Sequence, residues 1–288
     1  MKYFLITTEH LETGLWFIED EDYKTGVNYV AIVSFLTGVK ILAFILMSNH
    51  VHFLVACNSR KDAEAFIAEF KKRYSFYLSR KRGIRELLRD NPVDIREVFI
   101  GDESFERAVA YIQMNCVAAN ICLTPAEYPW GTGNCFFKLS PTSGRKLGAL
   151  SARAKRMVLH TTEALPDQWI LTDSGFIAPD SFVDINFTES VFRTPKRMNY
   201  FLMSSSKAKR QLLQKESSLP SFRDDVLSSA SEDICRSLFQ KRSITELTEE
   251  QKAVLIWHLK SRLGADVTQI ARITRLDYSA IAKILEEF

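Results

Sequence analysis

The chain has 288 residues, 46% of them hydrophobic and 25% charged, the ordinary mix of a soluble globular protein with enough length for one large domain or two smaller ones. A formal net charge of +3 is too small to prove a nucleic-acid partner, so the distribution of charge matters more than its sum. Five cysteines (Cys57, Cys116, Cys122, Cys135, Cys235) at irregular spacing, with no CxxC pair, exclude a disulfide framework and a cysteine zinc site.

The start, MKYFLITTEHLETG, meets acidic residues before any signal-like apolar segment develops. The longest apolar run, Ile41 to Met47, is far too short to span a bilayer, and the expectation is a reduced, cytoplasmic protein with no membrane partner. Lys2–Thr8 reads as a first strand. From about Tyr23 to Leu36 the apolar residues Val27, Tyr29, Val30, Ile32, Val33 and Leu36 fit a largely buried helix, ended by Gly38. VKILAFILM and HVHFLVAC read as two more strands with a break at Ser48-Asn49. Residues 61–82 form a clearer helix, with Phe66, Ile67, Phe70, Tyr74, Tyr77 and Leu78 at spacings of three and four. Another helix is expected from about Ser104 to Asn120, with Phe105, Ala108, Val109, Ile112 and Cys116 as its stripe. This order suggests an α+β sandwich with helices on one face of an antiparallel sheet. Ser-, Gly- and Lys-rich residues 131–156 mark a plausible boundary, and 157–246 read as mixed helices and loops. At the end, TEEQKAVLIWHLKSRLG is an amphipathic helix, and VTQIARITRLDYSAIAKILEEF resembles a helix-turn-helix. Thr268 and Asp277 fit as its N-caps, and Arg275 stands where a turn glycine is more usual.

On a strand, residues two apart point the same way, so His50 and His52 share one face while Val51, Phe53 and Val55 share the other. Two converging neutral imidazoles make half of a metal site; two hydrogen-bonded structural histidines are the alternative. In RAVAYIQMN, Tyr111 and Asn115 are four residues apart on one helix face, with Arg107 a turn earlier. An asparagine carbonyl can ligate a divalent cation, and a tyrosine can present a phenolic oxygen to it; a boundary tyrosine beside a solvated asparagine is the other reading. Among rival tyrosines, Tyr74 and Tyr77 lie on an apolar stripe and Tyr128 beside Pro129-Trp130 reads as a packing anchor.

MSNHVHFLV together with YIQMNCVAANICLTPAEYPWGT resembles the single-tyrosine HUH transposases, particularly the REP-associated tyrosine transposases of bacteria. Ser48, Cys116 and Gly131-Thr132 depart from that pattern, and none of them removes a reacting group. The resemblance implies a ferredoxin-like antiparallel sheet with helices on one face over residues 1–138, a mixed helical linker region over 139–246 and a helix-turn-helix over 247–288. It implies Mg²⁺ or Mn²⁺ held by His50 and His52, with Asn115 as third ligand, and Tyr111 as the nucleophile that cuts and rejoins single-stranded DNA at hairpin-containing ends. It leaves open whether a homodimer builds the site.

Between residues 71 and 89 the bases Lys71, Lys72, Arg73, Arg80, Lys81, Arg82, Arg85 and Arg89 face one acid, Glu86. Such a run is a solvated face or a phosphate track beside the reacting site, with Phe76 able to stack on a base and Arg107 adding to it. In the terminal motif Arg272, Arg275 and Lys283 are the candidate DNA contacts. Two further classes compete with a strand-transfer enzyme: a catalytically silent DNA-binding regulator derived from a transposase, and an unrelated metal-dependent hydrolase.

Overall fold

A computed structural model describes residues 1–11, 15–83, 88, 90–205 and 222–286. Its first elements are β1 (Lys2–Thr8), α1 (Asp20–Thr37), β2 (Lys40–Met47), β3 (His50–Cys57), α2 (Arg60–Arg82) and β4 (Val93–Val98). The four strands form one antiparallel sheet in the order β2-β3-β1-β4. This is the ferredoxin-like α+β sheet expected, completed by a strand the periodicity did not announce, but helices cover both of its faces and not one, because the residues beyond β4 return over the second face. β4 is an edge strand, and its Asp94, Arg96 and Glu97 interrupt the apolar residues that would have marked it.

β2 and β3 are buried almost throughout because both faces of the sheet are covered. On one face α1 and α2 pack over Phe4, Ile6, Phe44, Val51, Phe53 and Val55. The opposite face, holding Ile45, Met47, Leu54 and Ala56, is covered as well, by α3 (Ser104–Gln113), α4 (Asn115–Ala118) and α7 (Pro195–Ser204). The helix expected over Ser104–Asn120 is therefore two, divided at Met114 (φ −78°, ψ 0°). Along the outer edge of β2 runs the segment around Trp130. Leu46 N–H donates to the Trp130 carbonyl (2.9 Å) and Thr132 N–H to that of Phe44 (3.0 Å). A methyl on Gly131 would come 2.8 Å from the Phe44 oxygen, so this close approach needs a residue without a side chain.

Residues beyond 138 are integral to both layers. The short strands β5 (Arg145–Lys146) and β6 (Ile170–Leu171) and helix α5 (Ala152–Leu159) bring Leu147, Leu159 and Trp169 against α1's side, while α6 (Ile185–Phe192) and α7 bring Phe192, Met198 and Phe201 to the other. A third apolar cluster joins α8 (Asp224–Phe239), α9 (Glu249–Ser261), α10 (Val267–Thr274) and α11 (Tyr278–Glu286), with Leu15 inserted from the sheet unit. Helix α10 is capped by Asp266, which accepts from Gln269 N–H (2.8 Å), and not by Thr268; the Asp266–Gln269 spacing permits a reciprocal capping box. Arg275 takes the left-handed turn conformation (φ 59°) that a glycine usually fills. Among the described residues no helix is long and apolar enough to cross a membrane, and the five cysteines are free and buried.

Candidate active site

Strand alternation puts His50 and His52 on the α3 side of the sheet: they pair across strands with Met47 and Ile45, both part of that face's core. The two rings are 4.8 Å apart centroid to centroid, and the Tyr111 ring stands edge-on to His52 at 5.1 Å. Each imidazole is fixed through its Nδ1. Asn49 donates its amide to the Leu11 carbonyl (3.5 Å), which orients its Oδ1 to accept from His50 Nδ1 (2.9 Å). His52 Nδ1 meets Thr7 Oγ1 at 3.0 Å, across the β1–β3 ladder that aligns the two residues. The Asn49 oxygen only accepts, so this contact places the His50 proton on Nδ1, while the Thr7 hydroxyl can pair with either tautomer of His52.

Asn115 opens α4 and is buried; its amide nitrogen donates to the Tyr111 (2.7 Å) and Ile112 (3.3 Å) carbonyls, fastening it to the end of the helix that carries the phenol. Its side-chain oxygen is the atom suited to a hard cation. Among the described residues no group of three or more His, Cys, Asp or Glu side chains could hold a metal ion. Imidazole nitrogens and amide oxygens are both donor types that divalent cations take.

The three rival tyrosines have their hydroxyls committed inside the fold. Tyr74 donates to the Trp16 carbonyl (2.8 Å) and Tyr128 to that of Leu46 (2.7 Å), and burial raises both phenols well above the usual range. Tyr77 donates to Asp22 (2.9 Å), and burial pushes its pKa up to about 12. Tyr111 lines two hollows. One, of about 460 Å³, is bounded by Thr7, Arg96 and Ser104; the other, of about 150 Å³, by Phe201, Ser204 and Ser205; Arg107 borders both.

The basic run sits elsewhere. α2 packs on the face of the sheet opposite Tyr111, so it is not beside the histidines. Several of its cations are also occupied. Lys71 donates to the Asn91 carbonyl (2.6 Å), Arg73 pairs with Glu69 (2.7 Å), Lys81 with Asp22 (2.8 Å) and Glu19 (2.7 Å), and Arg82 with Asp22. Lys72 and Arg80 are exposed, the latter with its guanidinium 5.3 Å from the exposed Phe76 ring. Arg85 and Arg89 lie outside the described residues. In the terminal helices Arg275 and Lys283 are exposed, but Arg272 is turned inward onto Asp224 (2.7 Å) and the Ala119 carbonyl (3.0 Å).

Sequence reasoning missed His10, whose ring stacks on His50 (3.8 Å, 12°), together with Thr7 and Asn49 as partners of the imidazoles. His10 sits in a loop without periodicity, so no local pattern marks it; the role of Thr7 follows only from strand register.

Residues 17–91, which contain both histidines, match the family described as transposase IS200 like. The match supports DNA transposition as the broad setting of the protein. No curated protein matches the chain. Among solved structures, that of a REP-associated tyrosine transposase bound to a REP hairpin is similar at 14% identity and a TM-score of 0.36, over 46% of this chain and 77% of that one, too distant a likeness to transfer any role.

Proposed function

We propose that this protein cuts single-stranded DNA and transfers the cut strand through a 5′-phosphotyrosine on Tyr111, with residues 1–138 supplying the reacting groups. The observation that carries this reading is the edge-on approach of the Tyr111 ring to His52, 5.1 Å away, beside an open hollow. In the reaction the phenolic oxygen attacks phosphorus, its proton passing to solvent, while the P–O3′ bond breaks and the departing oxygen takes a proton to become a 3′-hydroxyl. The aryl phosphodiester retains the bond energy, so the 3′-hydroxyl of another strand can displace Tyr111 without ATP. His50, His52 and Asn115 would hold Mg²⁺ or Mn²⁺, which supplies Lewis-acid stabilisation of the charge on the phosphate oxygens.

The test is incubation of labelled hairpin-bearing DNA with the protein and Mn²⁺. The expected result is a covalent adduct that survives denaturation and disappears in Tyr111→Phe. DNA binding without an adduct would instead fit the regulator, and release of free ends by Tyr111→Phe would fit the hydrolase.

Thr7→Val keeps the side-chain volume but withdraws the partner of His52 Nδ1. We expect Mn²⁺ affinity to fall by about 10- to 100-fold in isothermal titration, the usual cost of losing such an outer contact. Unchanged affinity would mean the hydroxyl does not orient the ring.

A further inference from the structure

We propose that Arg107 grips the scissile phosphate and that the DNA strand crosses α3 there, one arm lying in the hollow beside β4 and the other against α7. This rests on Tyr111 as the nucleophile. Arg107 and Tyr111 are four residues apart on α3, and both border the two hollows that flank this stretch of helix. In-line displacement places the attacking and leaving oxygens on opposite sides of phosphorus, so the polynucleotide must continue away from the reacting atom in two directions. The larger hollow, about 460 Å³, falls within the range of about 300–1,000 Å³ typical of ligand pockets and has room for a nucleotide with its base. The smaller, about 150 Å³, suits a sugar or phosphate.

Charge supports this path. Arg107 pairs with the half-exposed Glu103 (2.7 Å), a surface pair that a phosphate can displace, since its planar fork binds phosphate oxygens two at a time. In the larger hollow Arg96, 71% exposed, pairs with the similarly open Asp94 (3.3 Å), a surface pair that a phosphate would displace to gain a second contact. α7 belongs to a segment whose sequence carries no motif. α7 is clamped to α3 by the Arg197–Glu106 pair (2.8 Å), its Glu106 buried, and so forms the far wall of the path.

Single-turnover adduct formation at saturating single-stranded DNA, with affinity measured across salt concentrations, tests the proposal. Arg107→Ala should react about 100-fold more slowly, with affinity changed less than tenfold; Arg107→Lys should recover only part of the rate, lacking the two-pronged contact. Arg96→Ala should weaken binding and reduce the slope of log affinity against log salt by about 0.7. Both arginines are exposed, and unchanged thermal unfolding of each variant verifies the fold. An Arg107→Ala protein reacting at the wild-type rate at saturation overturns the proposal while leaving Tyr111 as nucleophile. A wild-type protein that forms no Tyr111-dependent adduct sinks both.

Discussion

On the proposed mechanism, replacing His50 and His52 together by alanine should slow adduct formation by about 10³-fold, because the pair would supply most of the hold on a cation worth several kcal/mol to the transition state. The same variant should lose the thermal stabilisation that Mn²⁺ gives the wild-type chain. At a cation concentration 100 times the dissociation constant that stabilisation amounts to about 2.7 kcal/mol. The two readouts separate causes: Tyr111→Phe should abolish the adduct yet keep the Mn²⁺-dependent shift, since the phenol is not counted among the ligands. If the double variant keeps both its rate and its shift, the imidazoles are structural, held by Asn49 and Thr7 for packing alone.

The second large effect concerns Asp22. Its carboxylate is fully buried, accepts from the Ile18 (2.9 Å) and Glu19 (3.1 Å) amides at the start of α1, and binds Lys81, Arg82 and the Tyr77 hydroxyl at the end of α2. Removing one partner of such a cluster is costly because the cations stay behind in a poorly solvated place. Asp22→Ala should lose about 3 kcal/mol, and Asp22→Asn less, since it keeps an acceptor for the amides. In thermal unfolding the alanine variant should melt roughly 6–12 °C lower. Burial alone would raise the Asp22 pKa; the Lys81 hydrogen bond, the two amides and the Arg82 charge outweigh it, so the folded value lies below the ordinary 3.8. A depressed folded value means the contribution is complete above the unfolded pKa and fades as pH falls through the folded one. The wild-type chain should therefore lose this part of its stability only below about pH 4, and Asp22→Ala should show a flatter acid limb. Equal melting of wild type and variant would show that α1 and α2 are joined by apolar packing alone.

The elements that carry the site were legible because short-range patterns specify them. The strand period of two assigned His50 and His52 to one face, and the three-and-four spacing of Phe66, Phe70 and Tyr74 assigned α2. What escaped is what depends on distant partners. Lys81 and Arg82 look like solvated cations until Asp22, some sixty residues earlier, is brought beneath them. Arg272 looks like a groove-reading side chain until Asp224 and Ala119 take it. β4 was hidden by its charges, and the break at Met114 has no proline or glycine to announce it. That the basic run and Tyr111 occupy opposite faces follows from sheet order, which periodicity does not encode.

The inward turn of Arg272 ties the last helices to the carbonyl of Ala119, one residue past α4, and Asp224 N–H adds a bond to the next carbonyl, that of Asn120 (3.2 Å). The C-terminal bundle is thus bolted to the stretch that follows Asn115 instead of trailing behind it. A load applied to the end of the chain would be felt at the far end of α4, as a lever is felt at its pivot.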